Sequence, residues 1–169
     1  MSLIRSLALA ALLGLSLAPL PASSESIATS HPVHLGPLVL SGGFSRATLP
    51  NAPVGGGFLT IENTGSEDDR LVSAVSPVAG RVEVHEMAME NDVMKMRALP
   101  DGLPIPAGET VTLKPGGFHI MFFDLKQSFK EGDTIMVTLT FARAGSVDVS
   151  LLVGAPNARS AGMDHKKMH

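Results

Sequence analysis

Short runs of β-branched and other apolar residues recur along this chain, and Gly, Pro, Asn and Asp cut each run before it reaches helical length. The runs are Gly57–Glu62, Leu71–Ser76, Arg81–Met89, Val93–Leu99, Thr110–Leu113, Phe118–Leu125, Thr134–Phe141 and Val147–Val153. Such residues favour extended backbone, and turn formers at this spacing make the chain reverse direction. The pattern predicts an all-β sandwich or barrel with almost no helix. Beyond the N-terminal apolar stretch, no segment carries a 3.6-residue hydrophobic period.

That stretch reads as an export signal. Arg5, the apolar Leu7–Leu17 and the small-residue site Leu20-Pro21-Ala22 define a secretory signal peptide over residues 1–22, with the mature chain starting at Ser23. Ser26-Ile27-Ala28 marks a second candidate cleavage site. The apolar run is too short to span a bilayer unaided, and no other run approaches the ~20 residues a membrane helix needs, so no stable membrane insertion is expected. Removing 22 of the 169 residues leaves 147, which suits one domain. The domain is placed at residues 36–154. A flexible N-terminal segment, 23–35, and a flexible tail, 155–169, flank it, both polar, small or charged. Arg5 is the one charge lost with the signal, so 12 basic and 16 acidic residues leave a net charge of −4 without a basic run, which excludes nucleic acid as a partner. Cysteine is absent, and with it disulfides, thiolate nucleophiles and a lipid-bearing cysteine. A freely diffusing monomer is expected in the periplasm.

Sulfur is present in another form. The chain has nine methionines but no Trp, Tyr or Cys, and five of the nine lie between residues 87 and 121. The stretch Val82-Glu83-Val84-His85-Glu86-Met87-Ala88-Met89, then Glu90-Asn91-Asp92, then Val93-Met94-Lys95-Met96 reads as two strands around a tight turn. Alternation places His85, Met87 and Met89 on one face and Val82 and Val84 on the other, towards the core. With Asn91 and Asp92 as a two-residue loop, Met89 faces Met94 and Met87 faces Met96. A loop displaced by one place pairs His85 with Met96 instead. Further on, Phe118-His119-Ile120-Met121-Phe122 puts His119 and Met121 on one face and three apolar residues on the other. Two His-x-Met units, each backed by apolar residues, converge if their strands are neighbours.

Thioether sulfur is soft, neutral and never needs deprotonation, so it favours Cu(I), and imidazole tightens such a site. A cysteine-free site also suits an oxidising compartment. Blue-copper electron transfer needs a Cys ligand, and zinc sites usually need Cys, more clustered His, or His with carboxylate. Glu83 and Glu86 are the only carboxylates near His85 on its strand, and Glu86 points away from it.

These residues resemble the periplasmic CuA-site copper chaperones, the PCuAC family, over essentially the whole mature length. The family pattern is a His, ten intervening residues, a Met, about 21 more, then His-x-Met, and His85, Met96, His119 and Met121 fall on it. Leu113-Lys114-Pro115-Gly116-Gly117-Phe118-His119-Ile120-Met121 is especially typical. Two departures stand out: Glu86 replaces a frequent Met, and 22 residues separate Met96 from His119, the extra one assigned to the Pro100–Gly108 loop. A shifted choice such as Met94 therefore stays open. The resemblance implies a cupredoxin-like Greek-key β-sandwich that binds Cu(I) and delivers it towards the CuA subunit of cytochrome oxidase, beside a Sco-type thiol chaperone.

Met87, Met89 and Met94 are read as a supporting hydrophobic rim, with an auxiliary ligand role left open. The tail residues Met163, His165, Met168 and His169 are either a Cu(II) site or chance ligands. His31 and His34 are read as solvated loop residues, and Gly42-Gly43 and Gly55-Gly56-Gly57 as turns or bulges without chemistry. No nucleophile triad, carboxylate pair or cofactor loop points to an enzyme. A copper carrier and a copper-sequestering buffer share one site and remain the two functional alternatives.

Overall fold

The computed structural model describes residues 31–161. Eleven strands and no helix make up the described residues: β1 Val33–Leu35, β2 Leu38–Arg46, β3 Val54–Asn63, β4 Asp69–Val75, β5 Ala79–Glu90, β6 Val93–Ala98, β7 Leu103–Ile105, β8 Thr110–Leu113, β9 His119–Leu125, β10 Thr134–Phe141 and β11 Gly145–Gly154. Among these residues no helix is long and apolar enough to cross a membrane.

The strands form one hydrogen-bonded path, β6-β5-β9-β3-β2-β11-β10-β4-β7, with β1 added to β2 and β8 to β3. The path folds back on itself. β4 and β5 lie side by side without pairing, and Leu59, Ile61, Ile120 and Phe122 from one half meet Leu71, Val137, Leu139 and Leu151 from the other in a single core. The chain crosses repeatedly between the halves, which makes the molecule an all-β sandwich with Greek-key connections. Period-two patterning drives this closure: Ile135, Val137, Leu139 and Phe141 of β10 are buried while the residues between them are not. Each fully buried Leu, Ile or Phe contributes about 1.5–3 kcal/mol.

β2 joins the halves because it pairs with β3 along much of its length and with β11 in parallel at its end. Its register shifts between Ser41 and Phe44. Gly42 there has φ +63°, and a Cβ on Gly43 would stand 2.6 Å from the Ser150 carbonyl oxygen. This bulge is what Gly42-Gly43 was expected to supply. Gly55-Gly56-Gly57 differs from expectation: it lies inside β3, paired with Ile120, Met121 and Phe122 of β9. The missing side chains let Phe129, Phe122 and Leu151 close over the strand.

Strand positions read from the sequence agree to within a few residues, but β1, β2 and β7 were missed. β2 is broken by its glycines, and the other two are only three residues long. The sheet therefore begins at Val33, inside the segment expected to be flexible, because a Gly36-Pro37 turn folds β1 onto β2. His34 is accordingly an exposed strand residue. After β11 the chain stays close to the sheet, where Arg46 Nε donates to the Ala158 carbonyl at 2.8 Å. The expected signal peptide over residues 1–22 and the tail residues Met163, His165, Met168 and His169 fall outside the described residues.

Candidate metal centre

β5 turns into β6 through Asn91 (φ 50°) and Asp92 (φ 61°). Both sit in the left-handed region that a two-residue hairpin turn requires and that Asn and Asp tolerate. This turn selects one of the two registers left open: Met87 faces Met96, Met89 faces Met94, and His85 faces Ala98. On its other side β5 pairs with β9, placing His85 directly opposite His119 and Glu83 opposite Met121. His85, Met96, His119 and Met121 thus share one face of three adjacent strands. Val84, Ile120 and Phe122 on the reverse face are core residues and anchor them.

The two imidazoles lie with ring centroids 5.8 Å apart and are almost fully buried. Met96, half exposed, reaches over them so that its Sδ is 3.2 Å from His119 Nε2. Hydrogen bonding assigns the proton on each ring. His119 Nδ1 lies 3.0 Å from the Gly117 carbonyl, which can only accept, so Nδ1 carries the proton and the lone pair of Nε2 faces the sulfur. His85 Nε2 lies 2.7 Å from Glu83 Oε2, a carboxylate that can only accept, so Nε2 donates and Nδ1 is the nitrogen left for another partner. That Nδ1 is the one buried side-chain nitrogen or oxygen among the described residues without a hydrogen-bond partner. Burial holds the His119 imidazole below its ordinary range, opposed by the bond to Gly117 and reinforced by His85, so the ring is neutral at pH 7.

Residues without an assigned role in the sequence reading orient these side chains. Glu83 accepts from His85 and forms an ion pair with Arg81, whose guanidinium stacks 4.1 Å from the centroid of Phe123. The Phe123 ring is 5.7 Å from that of His85. The Glu83 carboxyl is held below the usual range, chiefly by the bond from His85. Gly117 ties the site to the hairpin, because its carbonyl also accepts from the Met87 backbone N–H. The signal available in sequence was period two: Arg81, Glu83 and His85 alternate on one strand, and His119, Met121 and Phe123 on the other. Glu86, which replaces the frequent Met, faces the opposite side and pairs with Arg97.

This donor set fits a soft metal. Two imidazoles lie on one face with the Met96 sulfur over one of them, each ring held by a hydrogen bond through its other nitrogen, as in characterised metal sites. Among the described residues no three His, Cys, Asp or Glu side chains are placed to hold an ion. A metal bound here would have to use methionine sulfur, which favours Cu(I) over zinc or hard cations. A surface hollow of about 650 Å³ lined by Asn51, Asp124 and Lys126 contains none of the four residues.

The fold is a cupredoxin-like all-β sandwich whose His/Met face is a candidate site for a soft metal. A family model described as "Putative lipoprotein LpqE-like" matches residues 38–153. The chain belongs to this LpqE-like family, and its solved neighbours place it with the PCuAC domains. It is 38% identical over 96 residues to "Putative lipoprotein Lxx21020" of Leifsonia xyli subsp. xyli, covering 57% of this chain and 58% of that protein. It is 31% identical over 84 residues to "Uncharacterized protein RP573" of Rickettsia prowazekii, covering 50% and 46%. The chain therefore spans about half the length of these relatives. The copper-bound PCuAC domain from PmoF2 superposes with TM-score 0.64 at 25% identity, covering 75% of this chain and 99% of that domain. The Cu(I) form of DR1885 from Deinococcus radiodurans superposes with TM-score 0.55 at 28% identity, covering 82% and 89%.

Proposed function

We propose that this chain is an exported, non-enzymatic copper carrier that holds one Cu(I) through His85 Nδ1, His119 Nε2, Met96 Sδ and Met121. The observation that carries this reading is the orphaned, buried Nδ1 of His85 on a ring 5.8 Å from that of His119, whose Nε2 faces the Met96 sulfur at 3.2 Å. Leaving a buried polar nitrogen unpaired costs about 1–3 kcal/mol, which metal coordination would recover. The copper-bound neighbours support the same reading.

Copper is cargo here, and release is ligand exchange without a change of oxidation state. Met96 is 49% exposed while the histidines are 8% and 7% exposed, so an incoming ligand reaches the metal from the methionine side and displaces Met96 first. The destination proposed is the CuA subunit of cytochrome oxidase, with a Sco-type thiol chaperone alongside, in the periplasm. A neutral thioether is a weaker Cu(I) donor than a thiolate, so transfer to a cysteine-bearing acceptor runs downhill.

The test is an anaerobic Cu(I) titration against a chromogenic chelator, with a variant carrying alanine at all four positions. One tight equivalent in the natural chain, lost in the variant, supports the site; equal binding by both removes it. Mixing the loaded chain with an apo CuA domain then separates carrier from buffer. A carrier transfers faster than copper dissociates into solution, whereas a buffer does not.

A further inference from the structure

The β5–β6 hairpin extends past the core, and its two faces differ. One face carries Glu86, Glu90, Lys95 and Arg97, joined by ion pairs Glu86–Arg97, Glu90–Lys95 and Glu90–Arg97. The other face carries Met87, Met89, Met94 and Met96, in two cross-strand pairs, Met87 with Met96 and Met89 with Met94. An ordinary solvated hairpin would present polar residues on both faces. Here Met89 is 63% exposed, Met94 45% and Met96 49%. Large apolar side chains left in water on adjacent pairs point to a ligand or a partner. The side chains are all thioethers and no Leu, Ile or Phe is interspersed, which favours a ligand specific to sulfur.

The ladder also has a direction. Met96 belongs to both sites, since its sulfur lies 3.2 Å from His119 Nε2 and it faces Met87 across the hairpin. From there the methionines continue through Met87 to the Met89–Met94 pair beside the Asn91–Asp92 turn. Opposed residues on a sheet have Cβ atoms about 4.5–5.5 Å apart, and the unbranched Met side chain adapts its reach, so neighbouring sulfurs can close on one ion.

We propose that Met87, Met89 and Met94, with Met96 as the shared rung, form a second, weaker, all-thioether site for a soft monovalent cation, Cu(I) or its analogue Ag(I). The proposal rests on the copper reading of the main site and adds a route by which the ion enters and leaves. Each step makes one metal–sulfur bond as another breaks, with no electron transferred and no proton released. Without imidazole, the hairpin site binds less tightly than the main one, so an ion on the ladder is the one a partner meets first.

The test uses the full chain labelled with [methyl-13C]methionine and titrated anaerobically with Ag(I) and with Cu(I). The first equivalent is expected to shift the Met96 and Met121 methyl resonances, and the second those of Met87, Met89 and Met94. Met87→Leu/Met89→Leu/Met94→Leu keeps the apolar bulk at the exposed Met89 and Met94 and the half-buried Met87. It should bind the first equivalent like the natural chain and the second at least tenfold more weakly. Second-equivalent shifts confined to Met163 and Met168, or a second affinity unchanged in the triple variant, overturn the hairpin site. Failure at the first equivalent instead refutes the main site, so the two readings fail separately.

Discussion

Glu83→Gln isolates the role of the carboxylate behind His85. The two side chains have nearly the same shape, so the hairpin and core should be undisturbed. The proton on His85 should not be. The native carboxylate can only accept, which keeps the proton on Nε2 and the Nδ1 lone pair free for metal. A glutamine amide can also donate, which permits the other tautomer with Nδ1 protonated and useless as a ligand. Loss of such an outer partner typically weakens metal affinity by about 10–100-fold, or roughly 1.4–2.7 kcal/mol. The Glu83 side chain is 31% exposed, so water can replace part of its role and the effect should fall near tenfold. Competition with a chromogenic Cu(I) chelator under anaerobic conditions measures the change, with circular dichroism to confirm folding. An affinity within twofold of the natural chain would refute the assignment of Nδ1 as the metal-binding nitrogen.

Other consequences are equally direct. His85→Ala and Met121→Ala should each weaken Cu(I) binding tenfold or more, about 1.4 kcal/mol, in the same competition assay; unchanged binding in both would sink the ligand set. Phe122, fully buried and edge-on to Phe129 at 5.6 Å, supports β9 from the core side. Phe122→Ala should lower stability by about 3–5 kcal/mol in urea unfolding, and a loss under 1 kcal/mol would mean the core does not carry the site strand. A Cβ at Gly57 would lie 2.9 Å from both Phe122 and Leu151. Gly57→Ala should therefore cost about 1–3 kcal/mol by overpacking, against no loss if the sandwich can part there. Removing residues 162–169 should leave the first Cu(I) equivalent intact, and its disappearance would assign the main site to the tail.

Much of this protein follows from local rules. Period-two alternation in Thr134–Phe141, and apolar backing behind each His-x-Met unit, specify strands and which face each side chain takes, because successive residues in extended backbone point opposite ways. An Asn-Asp pair between two such runs specifies a hairpin. That is why His85, Met87, Met89, Met94 and Met96 were legible as one face, His119 and Met121 as another, and why Glu86 could be turned away from His85; the choice of Met96 among the methionines came from the family resemblance. Where local rules weaken, the reading stopped. β2 is interrupted by Gly42-Gly43, and β1 and β7 are too short to alternate visibly, so their existence depends on partners far along the chain.

The tertiary structure decided which strands are neighbours. No local pattern dictates that β9 lies between β5 and β3, a pairing that sets His85 directly opposite His119. The same placement stacks Arg81 on Phe123 and lets the Gly117 carbonyl accept from the Met87 backbone N–H. Composition and spacing determined that His and Met side chains line one face of a β-sandwich. The partner that orients each imidazole lies two residues away along the chain, Glu83 for His85 and Gly117 for His119, but the two rings and the Met96 sulfur meet only through the pairing of β6, β5 and β9, because strands distant in sequence come together only when the sheet forms.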